Sequence, residues 1–361
     1  MPAKKWVKFF FIVFLTCVNS VAIFNWRIDS LGLFKTNAYI GKIVNEVTNN
    51  KIVNLFEKNF NYGILRKEII QNTLHKVDWI VLGSSRSMAL RKRFFLKEAD
   101  TFQNYSIPAA SLKNYMAIVS IFKDYQKTLP ENVIIEIDPT LFNTLNREDK
   151  NRFLNDDYIR LLNEITGQVI NKSPFNIDFI KKLYTTDYLF TNIEFLRKRY
   201  ISGFEINTVT DTSDYLGYLI EPDGSRHYSL AQKKASSEIV ERQAVAIGKF
   251  SPLMGGFNEL ANVSMFELFI QYLTSHDVNV IFYLPPYHPI TYDLFLKHDT
   301  YKIIAEVEKY ILTYASRNDI VVLGSYDPQK LHLVTTDFVD GVHTQASVPE
   351  RIFKELKERG K

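Results

Sequence analysis

The chain has a single cysteine, Cys17, in 361 residues, so disulfide frameworks, cysteine-based metal sites and catalytic thiols are excluded. Stability must come from a hydrophobic core, for which the chain is long enough. Histidine is also sparse: of seven, His288 and His343 lie in motifs taken up below, and the remaining His75, His227, His276, His298 and His332 are scattered without a spacing such as His-x-x-x-His on one helix. We expect no metal and no other cofactor. There is no glycine-rich phosphate loop, since Gly255-Gly256 lacks the surrounding pattern and Gly83 is followed by serines, so nucleotide binding has no support. The net charge is only +4, with no dense basic block beyond the amino terminus, and nucleic acid is not expected as a partner. No internal repeat or low-complexity tract is present.

Against these absences stands one long apolar run. Lys4, Lys5 and Lys8 are followed by apolar residues 9–24, bracketed by Trp6 and Trp26. At about 1.5 Å per residue the run covers about 24 Å, and the interval between the tryptophans about 30 Å, the thickness of a bilayer core. We expect residues 1–28 to form a cytoplasmic tip and a transmembrane helix, with Lys8 snorkelling and the rest of the chain exported. A cleaved signal peptide competes, because Ser20-Val21-Ala22 offers small residues at cleavage spacing. The flanking tryptophans and the length of the run favour a retained anchor. Phe14-Leu15-Thr16 is a poor lipidation box, so Cys17 reads as a small residue of the span.

Residues 29–76 read as a juxtamembrane stem, with helices at 40–47 and 52–60. From 77 to 361 short apolar runs alternate with amphipathic helices, the pattern of an α/β sheet. The runs lie at 79–82, 102–107, 133–137, 278–284 and 320–323, and helices are expected at 112–129, 265–275, 301–316 and 348–357. This predicts a three-layer sandwich around a parallel five-stranded sheet, flavodoxin-like in class. Residues 141–260 are too many for an ordinary crossover and are read as a largely helical insertion. Its helices fall at 157–170, 193–198 and 236–249, and Glu221-Pro222-Asp223-Gly224 is a hairpin turn. The abundant tyrosine and phenylalanine suit a core or the stacking of sugars.

Two motifs far apart in sequence carry the candidate chemistry. Gly83-Ser84-Ser85-Arg86 follows the first strand, and Asp340-Gly341-Val342-His343 follows the last. A serine past a strand end is exposed at the carboxyl edge of a parallel sheet, where ligands bind. A serine hydroxyl needs a base, and the base needs a third group to fix its tautomer. Ser85 is thus the candidate nucleophile, His343 its base and Asp340 the orienting acid. Ordinary loop composition and a chance Asp-x-x-His form the competing reading. Arg86 is a candidate for holding an oxyanion or an anionic substrate group, with a plain salt bridge as the alternative. In Leu284-Pro285-Pro286-Tyr287-His288-Pro289, Tyr287 and His288 are binding candidates, against a rigid proline loop.

These motifs resemble the SGNH or GDSL-like hydrolase superfamily, in particular its membrane-anchored, exported branch, which includes the D-alanyl transfer and alginate O-acetylation proteins. The resemblance covers residues 78–141 and 278–361. Gly83-Ser84-Ser85 stands where the family has Gly-Asp-Ser, implying that Ser85 is the nucleophile, and Asp340 to His343 stands at its Asp-x-x-His. Asn104-Tyr105-Ser106-Ile107-Pro108-Ala109-Ala110-Ser111 looks like the second block, whose glycine amide donates to the oxyanion, a position that falls here at Ala109 or Ala110. The third block, Gly-x-Asn-Asp, is replaced by Glu136-Ile137-Asp138-Pro139, with Asp138 at the asparagine position. An ionised aspartate repels an oxyanion, and losing one donor costs about two to three orders of magnitude in rate. Three resolutions stay open: a protonated Asp138, another donor such as Asn143 or Arg86, or loss of acyl transfer.

The resemblance implies a single-pass protein of the bacterial cytoplasmic membrane whose extracytoplasmic domain is a serine esterase or O-acyltransferase acting on acyl esters of cell-surface polysaccharide. The alternative is a catalytically silent SGNH-like binding or scaffold protein of envelope assembly. A structural subunit beside a membrane acyl-transfer partner is a third.

Overall fold

The computed structural model describes residues 3–359 apart from 35–37, 56–59, 144–151, 171–176, 202–205, 211 and 213–216. Its strands are β1 (Ile52–Leu55), β2 (Trp79–Leu82), β3 (Phe102–Asn104), β4 (Asn132–Glu136), β5 (Asn207–Val209), β6 (Tyr218–Ile220), β7 (Arg226–His227), β8 (Asn279–Leu284) and β9 (Val321–Gly324). Five of them form a parallel sheet in the order β3-β2-β4-β8-β9. Chain progression reverses between β2 and β4, so the carboxyl ends of these two strands open a crevice at the switch point.

Successive side chains on a strand point to opposite faces, and the sheet buries both. Ile80, Leu82, Val133, Ile135, Phe282 and Leu284 join one core with the helices Leu112–Gln126, Val263–Ser275 and Ile304–Arg317. Val81, Ile134, Ile281, Tyr283 and Leu323 join a second core with Phe95 and with Val348 and Phe353 of the helix Ser347–Arg359. Helices on both faces make three layers. The strands are apolar on both sides, as a parallel sheet covered by helices requires.

Two expectations need correction. The segment 52–60 is not a helix: residues 52–55 form β1, and 56–59 lie outside the described residues. β1 pairs antiparallel with β5 and β6, with Val53 opposite Thr208 and Ile220. Such distant partners leave no trace in local periodicity. Residues 29–76 are also not a free stem, because Ile40, Val44, Val53, Leu65 and Ile69 belong to the first core. Within 141–260 the turn Glu221–Gly224 joins β6 to β7 as a hairpin, and β5, β6 and β7 join β1 in a four-stranded sheet.

The β6–β7 hairpin turn docks on β3, the edge strand of the large sheet. Asn104 N–H donates to Asp223 O at 2.7 Å, and Gln103 Nε2 donates to Pro222 O at 3.1 Å. Gly224 has φ +77°, and a Cβ there would lie 2.6 Å from Asn104 O, so only glycine allows this approach. Arg66, in the helix Tyr62–Asn72, donates to Ser106 O at 3.1 Å and to Gly224 O at 2.9 Å. Its full burial lowers the guanidinium pKa to about 10. The supposed stem and the hairpin thereby cover an edge that would otherwise present unpaired backbone groups.

The helix Ala3–Ile28 is long and apolar enough to cross a membrane.

Leu65→Ala tests the integration of residues 29–76. Leu65 is fully buried, so the substitution should cost about 2–5 kcal/mol in chemical denaturation. Leu74→Ala, at a 97 % exposed side chain, should stay within about 0.5 kcal/mol. Equal midpoints for the two variants would mean that the segment is not part of the core.

Candidate active site

β2 ends at Gly83, and a tight turn follows. A Cβ on Gly83 would lie 1.8 Å from Ser87 Oγ and 2.7 Å from Glu136 Oε2, so the turn closes only around glycine. Neighbouring strands fix it from two sides. Asn104 Nδ2 donates to the carbonyls of Ser87 at 2.9 Å and Leu90 at 3.0 Å. Glu136, the last residue of β4, accepts from Ser84 N–H at 2.8 Å and Ser84 O–H at 2.5 Å. Glu136 is fully buried. Burial and nearby Asp138 push its carboxyl pKa upward, against Arg86 and the hydrogen bonds from Ser84 and Ser87. From Ile80 to Arg91 every residue is buried except Ser85. The turn thus presents one hydroxyl.

The last loop brings its partner to that hydroxyl. Asp340 Oδ1 accepts the backbone N–H groups of Val342 and His343, each at 2.8 Å, and Oδ2 pairs with His343 Nδ1 at 2.8 Å. His343 Nε2 lies 2.8 Å from Ser85 Oγ. With Nδ1–H donating to the carboxylate, Nε2 carries the lone pair and accepts from the serine. Burial would raise the Asp340 pKa, but His343 and the two backbone donors outweigh it and hold the carboxyl below its ordinary value. The Tyr228 ring packs edge-on against the imidazole, with centroids 5.9 Å apart. Arg226 lies over the Tyr228 ring at 5.9 Å.

Arg86 is buried and occupied on every side. Its Nε donates to Val342 O at 3.2 Å, one terminal nitrogen donates to Pro285 O at 2.5 Å, and the other meets Asp138 Oδ2 at 3.3 Å. Its guanidinium carbon sits 3.9 Å over the Tyr287 ring. Burial works against its charge, but Tyr287, Asp138 and Glu136 offset this, so the pKa is raised. This is a buried strap rather than a surface salt bridge. Asp138 accepts throughout: Oδ1 takes the Thr140 N–H at 2.9 Å and the Thr140 O–H at 2.6 Å, while Oδ2 takes Arg86. A side chain accepting from a cation and two neutral donors is not arranged to donate to an oxyanion. Asn143 does not replace it, because its amide donates to the carbonyls of Leu253 at 3.1 Å and Gly255 at 3.3 Å.

Ala109 and Ala110 lie across the crevice from Ser85, and both line the same cavity. Ala110 N–H donates to Ile107 O at 3.0 Å. The N–H groups of Ala109 and Ser85 donate to no acceptor among the described residues. Ala109 has φ +54°, the left-handed region that costs a residue with a Cβ about 1–2 kcal/mol. Tyr287 also lines the cavity. His288 does not: it is fully buried, its Nδ1 accepts from Ile290 N–H at 3.1 Å, and it caps the helix Pro289–Lys297. Burial lowers its pKa. The proline loop explains its place as an N-cap, not as a binding residue.

The cavity measures about 320 Å³. Ser85, Arg86, Ala109 and Asp138 lie on its polar side, while Ile247, Phe250, Leu253, Met254 and Phe295 make an apolar wall. Four of these five wall residues come from the insertion, and their place at the site was not evident from the sequence. Nor was the role of Glu136, although a glutamate in the apolar run Val133-Ile134-Ile135-Glu136-Ile137 demands a buried partner. Among the described residues, no group of three His, Cys, Asp or Glu side chains is placed to hold a metal ion.

No protein-family model and no curated protein matches the chain.

The Asp340 environment fixes a pH dependence. Because its folded pKa is depressed, its stabilisation is fully present above the ordinary aspartate value of about 3.9 and is lost as pH falls through the lower folded value. The melting-temperature advantage of the native protein over Asp340→Asn should therefore hold from neutral pH to about pH 5 and shrink below about pH 4. An advantage that grows on acidification would contradict the assignment.

Proposed function

We propose that the protein is a membrane-anchored serine esterase or O-acyltransferase of SGNH-like type. The observation that carries this reading is the unbroken chain Ser85 Oγ–His343 Nε2 and His343 Nδ1–Asp340 Oδ2, each link 2.8 Å, at the mouth of a cavity with an apolar wall. In this reading Ser85 Oγ attacks an ester carbonyl and His343 takes its proton. Asp340 holds the tautomer and stabilises the imidazolium. The Ser85 and Ala109 N–H groups receive the developing oxyanion. Collapse of the tetrahedral intermediate passes the proton from His343 to the leaving alcohol and leaves an acyl group on Ser85. Water then completes hydrolysis, or a sugar hydroxyl completes transfer, with His343 as the base again. The acyl chain lies against Ile247, Leu253 and Met254.

The substrate class we propose is an acyl ester of a cell-surface carbohydrate, because a protein held beside a membrane by its Ala3–Ile28 helix meets envelope polymers. The three lysines before the apolar run support an extracytoplasmic domain. A silent binding module is the second reading. It is favoured by the side chain at 138, where an acceptor stands in place of an amide donor.

Hydrolysis of a small aryl acetate by the full-length protein in detergent tests the proposal. Ser85→Ala and His343→Ala should each lower kcat by at least about a thousandfold with the fold unchanged by circular dichroism. A native protein without turnover, or variants that match it, would favour the silent module.

A further inference from the structure

The Ala3–Ile28 helix is exposed all round through its first turns, and burial begins only at Val18. From there it follows one stripe, Val18, Val21, Ala22, Asn25, Ile28 and Asp29. The helices that cover it are Ile177–Leu183 and Thr186–Ile201. The join is polar and tight. Asn25 Nδ2 donates to Leu183 O at 2.7 Å, and Asn192 Nδ2 donates to Asn25 Oδ1 at 3.0 Å. Ser30 Oγ donates to Asn192 Oδ1 at 2.6 Å, and Tyr188 O–H donates to Asp29 Oδ1 at 2.6 Å. A buried network of this kind holds one geometry, because each broken link would leave an unsatisfied polar atom.

This fixes where the helical pair must sit. If Trp26 stands at the membrane interface, the hydrogen-bonded join at Asn25, Asp29 and Ser30 lies within about 6 Å of it at about 1.5 Å per residue, so the pair that makes the join lies at the interface too. The outward face of Thr186–Ile201 suits such a place. Phe190, Ile193, Arg197 and Tyr200 recur at helical spacing on one face, with Phe190 66 % and Tyr200 74 % exposed. Residues 177–201 carry five basic side chains (Lys181, Lys182, Arg197, Lys198 and Arg199) against three acidic ones (Asp178, Asp187 and Glu194). Aromatic residues flanked by cations are the composition of a helix lying in a bilayer interface.

We infer that the helical pair 177–201 is a membrane foot. It lies in the headgroup layer of the bilayer that the Ala3–Ile28 helix spans, with Phe190 and Ile193 among the acyl chains and the basic side chains at lipid phosphates. The inference rests on reading that helix as a membrane span. Its consequence is a domain held at a set height and tilt rather than swinging on a tether, so the Ser85 cavity faces a fixed zone above the membrane.

The test uses nitroxide labels on the full-length protein in liposomes of phosphatidylcholine and phosphatidylglycerol, with oxygen as the lipid-soluble quencher and a nickel chelate as the aqueous one. Native Cys17, labelled alone, reports on the span. Phe190→Cys and Ile193→Cys in a Cys17→Ser background report on the foot. The inference expects an oxygen-to-nickel accessibility ratio at 190 and 193 several-fold above that of a water-exposed label and approaching that of Cys17. Lipid exposure at Cys17 with aqueous values at 190 and 193 would overturn the foot alone and leave that face for a protein partner. Aqueous values at Cys17 would overturn the span, and the foot with it.

Discussion

One buried cation holds the edge of this sheet together. Arg86 follows the candidate nucleophile and reaches, in one side chain, the Asp138 carboxylate after β4, the Pro285 carbonyl after β8 and the Val342 carbonyl beside His343. Its plane rests on Tyr287. Four loops that meet nowhere in sequence are therefore tied to a single guanidinium, whose flat fork of donors suits such a junction better than an ammonium would. The arrangement also makes Asp138 necessary. A guanidinium taken out of water needs its counter-charge, and removing one partner of a buried pair costs about 3–5 kcal/mol. The aspartate that looks like a defect when compared with an oxyanion donor is, in the structure, the counter-ion of the strap.

The same economy runs beneath the candidate nucleophile. Glu136 accepts from both donors of Ser84, and the Asn104 amide donates to two of the turn's carbonyls, so Ser85 is held by the strands on either side of the switch point. The residues before β2 and those of the insertion then build outward from this centre. β1 binds the small sheet, its hairpin seals the β3 edge, and the insertion's residues 247–254 close the cavity wall. None of these pieces is an appendage, because each covers an edge, a core or a cleft that the others leave open.

The large sheet was legible because its strands are continuous apolar runs bounded by breakers. Residues 79–82 match the strand expected there, and the other four runs agree within one to three residues at their ends. The convergence of Ser85, His343 and Asp340 was expected from the order of the two motifs, one directly after the first strand of this sheet and one in the long loop after its last, together with the resemblance they carry. What stayed hidden depends on distance. Ile52-Val53-Asn54-Leu55 has no strand signature until β5 and β6 pair with it. The oxyanion question turned on partners, and Asp138 and Asn143 could be assigned only once Arg86 and the Leu253 carbonyl were seen beside them. His288, a binding candidate weighed against a rigid proline loop, sits as the N-cap of the helix Pro289–Lys297.

If Ser85 is the nucleophile this geometry prepares, it should be the one hydroxyl in the protein activated for covalent attack. The most direct measurement is intact-mass and peptide mapping of the full-length protein after treatment with a serine-directed fluorophosphonate. We expect a single phosphonyl adduct, located on Ser85 and lost in His343→Ala, whose Ser85 remains but has no base. No adduct at all, or an adduct on another serine with Ser85 unmodified, would contradict the catalytic reading and leave the site as a rigid binding surface.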